Sequence, residues 1–317
     1  MNFDGKRILV TGAAGFIGSN IILNLLSFNC KVVGLDNFST GQMENLEFCL
    51  KNPNFALLQG DIRDFTYLKK NLKDLDIIFH EAALGSVPRS VKDPLTTNEN
   101  NINGTLNLLM LARDLNIERF VYASSSSVYG EKETLPKKED MPSEPVSPYA
   151  VSKLAGENYV ISFSKVYGLK TVSLRYFNVY GPNQVASPYS GVIAIFISRA
   201  LQKQPLIIYG DGKQTRDFTF VQDVVDANFL AATKKAAIGA VFNIGFGAQT
   251  SVLNLAHKVI ELCNILELEI QFKPLRKGDV LHSYADINRA RKILEFKPKF
   301  NLEKGILETI KWFQKNG

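Results

Sequence analysis

Tyr149 and Lys153 stand four residues apart in the run Tyr149-Ala150-Val151-Ser152-Lys153. On a helix that spacing stacks the two side chains on one face. An ammonium beside a phenol lowers the phenol's pKa from about 10 toward neutral pH. A phenolate so poised can take the proton of an alcohol while the alcohol's carbon loses hydride. Upstream lies Tyr122-Ala123-Ser124-Ser125-Ser126-Ser127-Val128-Tyr129-Gly130. A hydroxyl in that run can bridge a substrate oxygen and Tyr149, or it can simply belong to a polar turn. Taken alone, a Tyr-x-x-x-Lys step is common on helix surfaces. What positions it decides its meaning.

A third group sits near the N-terminus, in Thr11-Gly12-Ala13-Ala14-Gly15-Phe16-Ile17-Gly18. A dinucleotide pyrophosphate needs a tight turn, close backbone approach and a helix N-terminus with free N–H groups. Gly12, Gly15 and Gly18 meet those needs, spaced GxxGxxG between a strand pattern and a helix pattern. Asp36 follows Gly18 by 18 residues, at the end of the next strand pattern. A carboxylate there accepts both hydroxyls of an adenosine ribose and repels a 2′-phosphate. No Arg or Lys follows in Asn37-Phe38-Ser39-Thr40, which favours NAD over NADP. Asp61-Ile62 reads either as a contact to adenine or as a helix cap before Phe65.

The elements that must hold these groups alternate. Short apolar or β-branched runs fall at residues 7–10, 31–35, 55–58, 76–79, 119–123 and 171–176, with helical spacing at 16–28, 98–115 and 149–167. Runs of four to six such residues between helices predict strands buried on both faces, hence a parallel sheet. This is the doubly wound α/β, Rossmann-type pattern, in which strand C-termini line the ligand crevice. After Tyr176 the rhythm loosens. Strands are expected at 206–209 and 218–221, and helices at 192–201, 223–233, 252–266 and 302–313. We expect a cofactor domain over 1–177 and a smaller α+β substrate-binding lobe over 178–317. That boundary is soft, because later segments can return to the first sheet.

Composition excludes other classes. The 317 residues are 45% hydrophobic, enough for a full core without disulfide staples. With 37 Lys+Arg against 31 Asp+Glu the net charge is +6, spread without blocks, so neither nucleic acid nor a membrane is expected as a partner. No apolar run approaches the roughly 20 residues of a membrane helix. Residues 1–6 lack a signal-peptide core. Cys30, Cys49 and Cys263 are far apart and unpaired by spacing. Together these point to the cytoplasm. His80, His257 and His282 have no metal spacing, so no metal is expected. His80 reads as a packed, hydrogen-bonded residue, and the role of His282 is open.

These residues resemble the extended short-chain dehydrogenase/reductase family, and within it the nucleotide-sugar 4-epimerases acting on UDP-glucose and UDP-N-acetylglucosamine. The resemblance spans nearly the whole chain. It rests on the motifs above and on His80-Glu81-Ala82-Ala83, Asn100-Asn101-Ile102-Asn103-Gly104-Thr105, Arg175-Tyr176-Phe177-Asn178, Gly210-Asp211-Gly212, Arg216-Asp217 and Arg276-Lys277-Gly278-Asp279. It implies an isomerase that inverts C4 of a UDP-hexose with tightly held NAD. Ser125, Tyr149 and Lys153 would be catalytic, with Tyr149 the base and Lys153 also binding ribose. Contacts to NAD would come further from Phe16, Ile17, Asn37, Asp61, Ile62, Ala82, Ala83 and Asn101, with Tyr176 at the nicotinamide. Asn178, Arg216, Arg276 and Asp279 would hold UDP, and Ser86, Ser126, Tyr209 and Ser283 would complete the substrate site. Guanidinium forks suit phosphate oxygens.

The resemblance also separates branches. Dehydratases and decarboxylases of the family carry an acid in the segment matching Ser125-Ser126-Ser127. Here all three are serine, and no second acid/base is visible beside the tyrosine, so hydride removal and return is preferred to elimination. The position that gates the sugar pocket falls at Ser283, and a small residue there resembles enzymes accepting an N-acetyl group. Gly85-Ser86-Val87-Pro88-Arg89-Ser90 resembles the same branch. The expected substrates are UDP-GlcNAc and UDP-GalNAc, alongside UDP-Glc and UDP-Gal. UDP-uronate 4-epimerases and nucleotide-sugar reductases are the alternatives within the family. A non-catalytic NAD-binding sensor is the alternative outside catalysis; such proteins commonly lose the Tyr or the Lys. A homodimer through the helices near 98–115 and 149–167 is also implied.

Overall fold

The computed structural model describes residues 2–131, 134–187, 189–275 and 280–316. Six strands alternate with helices through the first half: β1 (Arg7–Thr11), α1 (Phe16–Leu25), β2 (Lys31–Asp36), β3 (Phe55–Gln59), α2 (Phe65–Asn71) and β4 (Ile77–His80). Then come α3 (Val87–Lys92), α4 (Pro94–Asn98), α5 (Gly104–Asp114), β5 (Arg119–Ser125), α6 (Pro148–Tyr167) and β6 (Thr171–Tyr176). Side chains alternate along each strand, and both faces are covered. Ile8 and Val10 of β1 join one apolar cluster while Leu9 joins the other. Val121 and Ala123 of β5 face the first cluster, Phe120 and Tyr122 the second. That two-sided burial is what a parallel sheet requires.

The chain then runs through β7 (Val179–Tyr180), α7 (Val192–Leu201), β8 (Leu206–Tyr209), β9 (Thr215–Arg216), β10 (Thr219–Phe220), α8 (Val221–Thr233) and β11 (Val241–Ile244). It ends with β12 (Thr250–Ser251), α9 (Val252–Leu262), β13 (Ile270–Lys273) and α10 (Leu302–Asn316). The large sheet has seven strands in the order β3-β2-β1-β4-β5-β6-β11, with every neighbouring pair parallel. α1 and α8 cover one face and α2, α5 and α6 the other. A third apolar cluster, built from α7, α9, α10 and β8, forms the smaller lobe.

Three local expectations change. The strand β11, unforeseen from sequence, pairs with β6 from Val241↔Ser173 to Ile244↔Tyr176. It and α8 pack with the large sheet although both lie beyond residue 177. The strand expected at 218–221 is only Thr219–Phe220, because Val221 already opens α8. The single helix expected over 98–115 is three pieces, with a π-helical turn at Glu99–Asn103 between α4 and α5. One turn of wider winding lets Asn101 turn inward, where Oδ1 accepts from the Leu84 N–H at 2.8 Å.

Strand register brings the chemistry to one edge. Thr11 lies opposite His80, and Ser125 opposite Tyr176. Asp36 closes β2. These are the C-terminal ends of parallel strands, where such folds open their crevice.

Candidate active site

A cleft of about 660 Å³ opens along that edge and continues to the smaller lobe. At one end stands the glycine loop. Gly12 has φ +66°, and a Cβ on it would lie 2.9 Å from the Ala82 Cα. A Cβ on Gly18 would fall on the Gly12 carbonyl. No side chain caps the N-terminus of α1, and its first turn holds no acid. The open N–H groups suit a pyrophosphate. Gly15, Phe16 and Ile17 line this part of the cleft, with Ala82 and Ala83 opposite. Asp36 accepts from the Ala14 and Phe38 N–H groups at 2.9 and 2.8 Å. Those two bonds leave carboxylate lone pairs for a ribose. Burial raises its pKa, with the backbone bonds opposing. The residues present therefore fit NAD.

Asp61 is placed differently. The Arg63 guanidinium holds it, with the shortest contact at 2.8 Å, and Asn37 Nδ2 donates to it at 2.8 Å. The bond from Arg63 is the main reason its pKa drops to about 2. Ile62, not Asp61, lines the cleft. Nor does Asp61 cap α2, since Asp64 accepts from the Tyr67 N–H there. Asn101 is also drawn away, because Nδ2 donates to Ser152 Oγ at 2.9 Å and Oδ1 is taken by Leu84. It ties the loop after β4 to α6, while its neighbour Asn100 reaches the cleft wall. His80 is buried between Thr11 and Thr105, at 2.8 and 2.9 Å. Thr105 gives its proton to the Asn101 carbonyl, so it accepts from His80 Nε2–H, and Nδ1 accepts from Thr11. Burial, then the charge of Lys153, hold this neutral ring down at about 3.

Ser124–Ser127, Tyr149 and Lys153 line the same cleft. Ser147 caps α6 by accepting from the Ala150 N–H, and Pro148 opens it, so Tyr149 stands in the first turn with Lys153 one turn on. Lys153 is buried, and its Nζ donates to the Ala123 carbonyl at 2.7 Å. The serines divide by strand alternation. Ser124 turns its hydroxyl inward to Glu157 at 2.6 Å. Ser125 faces the cleft and accepts from both N–H and Oγ–H of Ser127, at 3.2 and 2.9 Å. With its acceptor sites so engaged, its own proton points to Tyr149. Ser126 completes the wall.

The expected electrostatics of the pair are corrected here. Burial raises the Tyr149 phenol, and the bond from Ser125 is what pulls it back. Lys153 has aimed its ammonium at the carbonyl end of β5, and burial lowers it to about 8 against the pull of Glu81. A second acid/base group, unexpected from the sequence, lines the same cleft as Tyr149: Glu81. Tyr176 donates to its Oε1 at 2.9 Å. Burial pushes Glu81 up to about 7, opposed by Tyr176 and Lys153. The signal was present, since a carboxylate one residue past a buried strand end falls into the crevice.

At the far end, Asn178, Arg216 and Ser283 line the cleft, and Ser86 does so while capping α3. Asn178 Nδ2 spends one hydrogen on the Asp217 carbonyl and keeps a second. Arg216 Nη1 donates to the Thr215 and Leu281 carbonyls. Ser283 N–H donates to Thr215 O at 3.1 Å, and His282 Nδ1 meets Thr215 Oγ1 at 3.0 Å. His282 thus pins the run that presents Ser283. Asp217, missed as a structural post, accepts from the N–H groups of Phe246, Gly247 and Ala285 at 2.8, 3.0 and 3.1 Å. Tyr209 ends β8 and does not line the cleft. Arg276 and Asp279 lie outside the described residues. Among the described residues no group of His, Cys, Asp and Glu could hold a metal ion, and no helix is long and apolar enough to cross a membrane.

The sequence profile of the NAD dependent epimerase/dehydratase family matches residues 8–245. A UDP-glucose 4-epimerase of Mycolicibacterium smegmatis is 42% identical over 311 residues, covering 97% of this chain and 98% of that one. Among solved structures, the UDP-N-acetylglucosamine 4-epimerase of Methanobrevibacter ruminantium, in complex with UDP-N-acetylmuramic acid, has a TM-score of 0.94 at 40% identity. That match covers 99% of this chain and 100% of that one. The UDP-glucose 4-epimerase of Thermotoga maritima with UDP-glucose has a TM-score of 0.93 at 38% identity, over 98% and 99% of the two chains.

Proposed function

Because the chain belongs to the NAD dependent epimerase/dehydratase family, we propose that it inverts C4 of UDP-hexoses, with UDP-GlcNAc and UDP-GalNAc as preferred substrates and UDP-Glc and UDP-Gal also accepted. The observation that carries this reading is the all-hydroxyl set at Ser125, Ser126 and Ser127 beside Tyr149. With no acid in that run, the site favours taking and returning a hydride over eliminating a group. The nearby carboxyl, Glu81, is engaged by Tyr176.

In this mechanism Tyr149 accepts the 4-OH proton, and Ser125, held by Ser127, donates to the C4 oxygen. Lys153 supplies positive charge next to the base. The glycine loop, Asp36 and Lys153 would hold NAD along the cleft, and the cofactor would supply the hydride acceptor and donor for C4. Asn178 and Arg216 hold the diphosphate while the 4-keto sugar turns about it. Residues holding UDP firmly and a loosely lined sugar end make that turn feasible.

The test is a panel of UDP-Glc, UDP-GlcNAc and UDP-glucuronate with products separated by chromatography. UDP-GalNAc appearing without added reductant supports the proposal. Conversion of the uronate alone overturns it in favour of the uronate branch, and net consumption of reduced nicotinamide favours a reductase. Ser283 gives a sharper check, being small and at the cleft wall. Ser283→Tyr is expected to cut kcat/KM for UDP-GlcNAc by about 10-fold or more relative to UDP-Glc, since added bulk discriminates by about 1–3 kcal/mol. Equal losses on both would remove Ser283 as the gate.

We also propose a homodimer through α4 and α6, supported by the exposed apolar residues Leu95, Val151 and Val166 on these adjacent helices. Sedimentation velocity is expected to give twice the chain mass, and Val151→Glu to halve it.

A further inference from the structure

Three segments of the cleft wall are bonded to one another beside the glycine loop. The segment after β2 folds back on that loop, where the Gln42 N–H and Asn45 Nδ2 both donate to the Ala14 carbonyl at 3.0 Å. Asn45 Nδ2 also donates to the Asn183 carbonyl at 3.3 Å. Asn183 lies in the turn after β7, and its own Nδ2 donates to Ser19 Oγ at 3.0 Å. Next to it, the Pro182 carbonyl accepts from Asn20 Nδ2 at 3.0 Å. Ser19 and Asn20 are buried in α1, the helix that the glycine loop opens. The three contacts to the 182–183 turn span 138 to 164 residues of sequence, so they join distant parts of the fold. Asn183 has φ +69°, a left-handed backbone that asparagine tolerates better than most residues. In that conformation its carbonyl and its side chain both engage the cofactor domain. Ala14, Gly15, Gln42, Asn45 and Asn183 all line the cleft.

On the epimerase reading, NAD is regenerated at every turnover and never has to leave. Resting on that reading, we propose that Asn45, Asn183, Asn20 and Ser19 form a clasp that retains the dinucleotide. The bonds close a circuit from Ala14 through Asn45 and Asn183 to Ser19, and back along α1. A pyrophosphate held on the glycine loop would adjoin that circuit. Its release requires the 182–183 turn to part from α1 and from Asn45. An enzyme that exchanged its cofactor at each cycle would be slowed by such a clasp, whereas an epimerase is not.

The test follows cofactor release directly. Holoenzyme loaded with 14C-labelled NAD is diluted into excess unlabelled NAD, and the label kept by the protein is followed by rapid filtration. Asn45→Ala removes the donor shared by Ala14 and Asn183. Asn183→Gly removes the bond to Ser19 and keeps the left-handed backbone. Each is expected to speed release by about threefold or more, the effect of one net hydrogen bond, and the double variant by more than either. A merely structural role would lower the urea midpoint and leave release unmoved. A double variant that releases NAD less than about threefold faster than the parent overturns the proposal. Should it fail to fold, Asn45→Ala decides by the same threshold. No sugar enters this assay. Slow release from the parent, quickened in the variants, supports the clasp even if no UDP-GalNAc is formed and the epimerase reading falls.

Discussion

Tyr149→Phe is expected to lower kcat by between about 10² and about 10⁴, the range over which a positioned proton carrier contributes. The phenylalanine ring fills the same space in the first turn of α6, so the Ser147 cap, the helix and the cleft wall are retained. What is lost is the phenol oxygen that Ser125 meets and that would carry the C4 proton. Binding should therefore survive. NAD and UDP affinities measured by calorimetry are expected within about twofold of the parent, while product formation nearly stops. Ser125 is itself fixed by Ser127, so it cannot move in as a substitute base. Full turnover in this variant would remove Tyr149 from the chemistry. A matched fall in affinity and rate would make it a binding residue.

Glu157→Gln is expected to cost about 3–5 kcal/mol of folding stability, read by urea unfolding. Arg175 Nη2 meets Glu157 Oε1 at 2.6 Å and Nε meets Oε2 at 3.0 Å, a bidentate pair with side chains 6% and 1% exposed. Glutamine preserves the volume but leaves a guanidinium charge unpaired between β6 and α6. The damage spreads along defined bonds. Arg175 lies over the Tyr129 ring at 4.7 Å, and Tyr129 donates to Asn243 Oδ1 at 2.6 Å on β11. Glutamine offers one acceptor oxygen where glutamate has two, so its amide nitrogen faces either Arg175 Nη2 or the Ser124 hydroxyl that sets the end of β5, one residue before Ser125. Activity should fall with stability. The double variant Glu157→Leu, Arg175→Met removes both charges and is expected to recover most of the stability, since breaking a buried pair costs more than replacing it. No recovery would show that the pair matters through the Ser124 bond to Glu157 and the Arg175 contact with Tyr129.

The sheet was legible because most strands of the first half are apolar on both faces, a pattern with few other uses. The glycine loop and Asp36 were legible for a related reason, since their spacing is dictated by one strand-turn-helix unit. What stayed hidden depends on distant partners. Asn101 looked like a ligand contact because its type and place allowed it. Only the fold shows Leu84 and Ser152 taking its side chain. Asp61 similarly depends on Arg63, two residues away but curled back by the turn. Lys153 was expected to act on Tyr149, yet helical spacing says nothing of the Ala123 carbonyl that receives its ammonium. Glu81 was in plain view within His80-Glu81-Ala82-Ala83, but its meaning lies in Tyr176 and Lys153. The four residues of β11 carry too short a pattern to be told from a loop, and only β6 gives them a place.

That last strand has a bearing on synthesis. A ribosome delivers β6 68 residues before the end of β11 (Tyr176 to Ile244 along the chain). During that interval the edge of a strand that is fully buried in the finished fold has no neighbour, and unpaired strand edges recruit other chains. The segment made in between, including the cap helix α8, must be threaded back before the edge closes. The nascent enzyme therefore passes through a window of vulnerability set by topology alone.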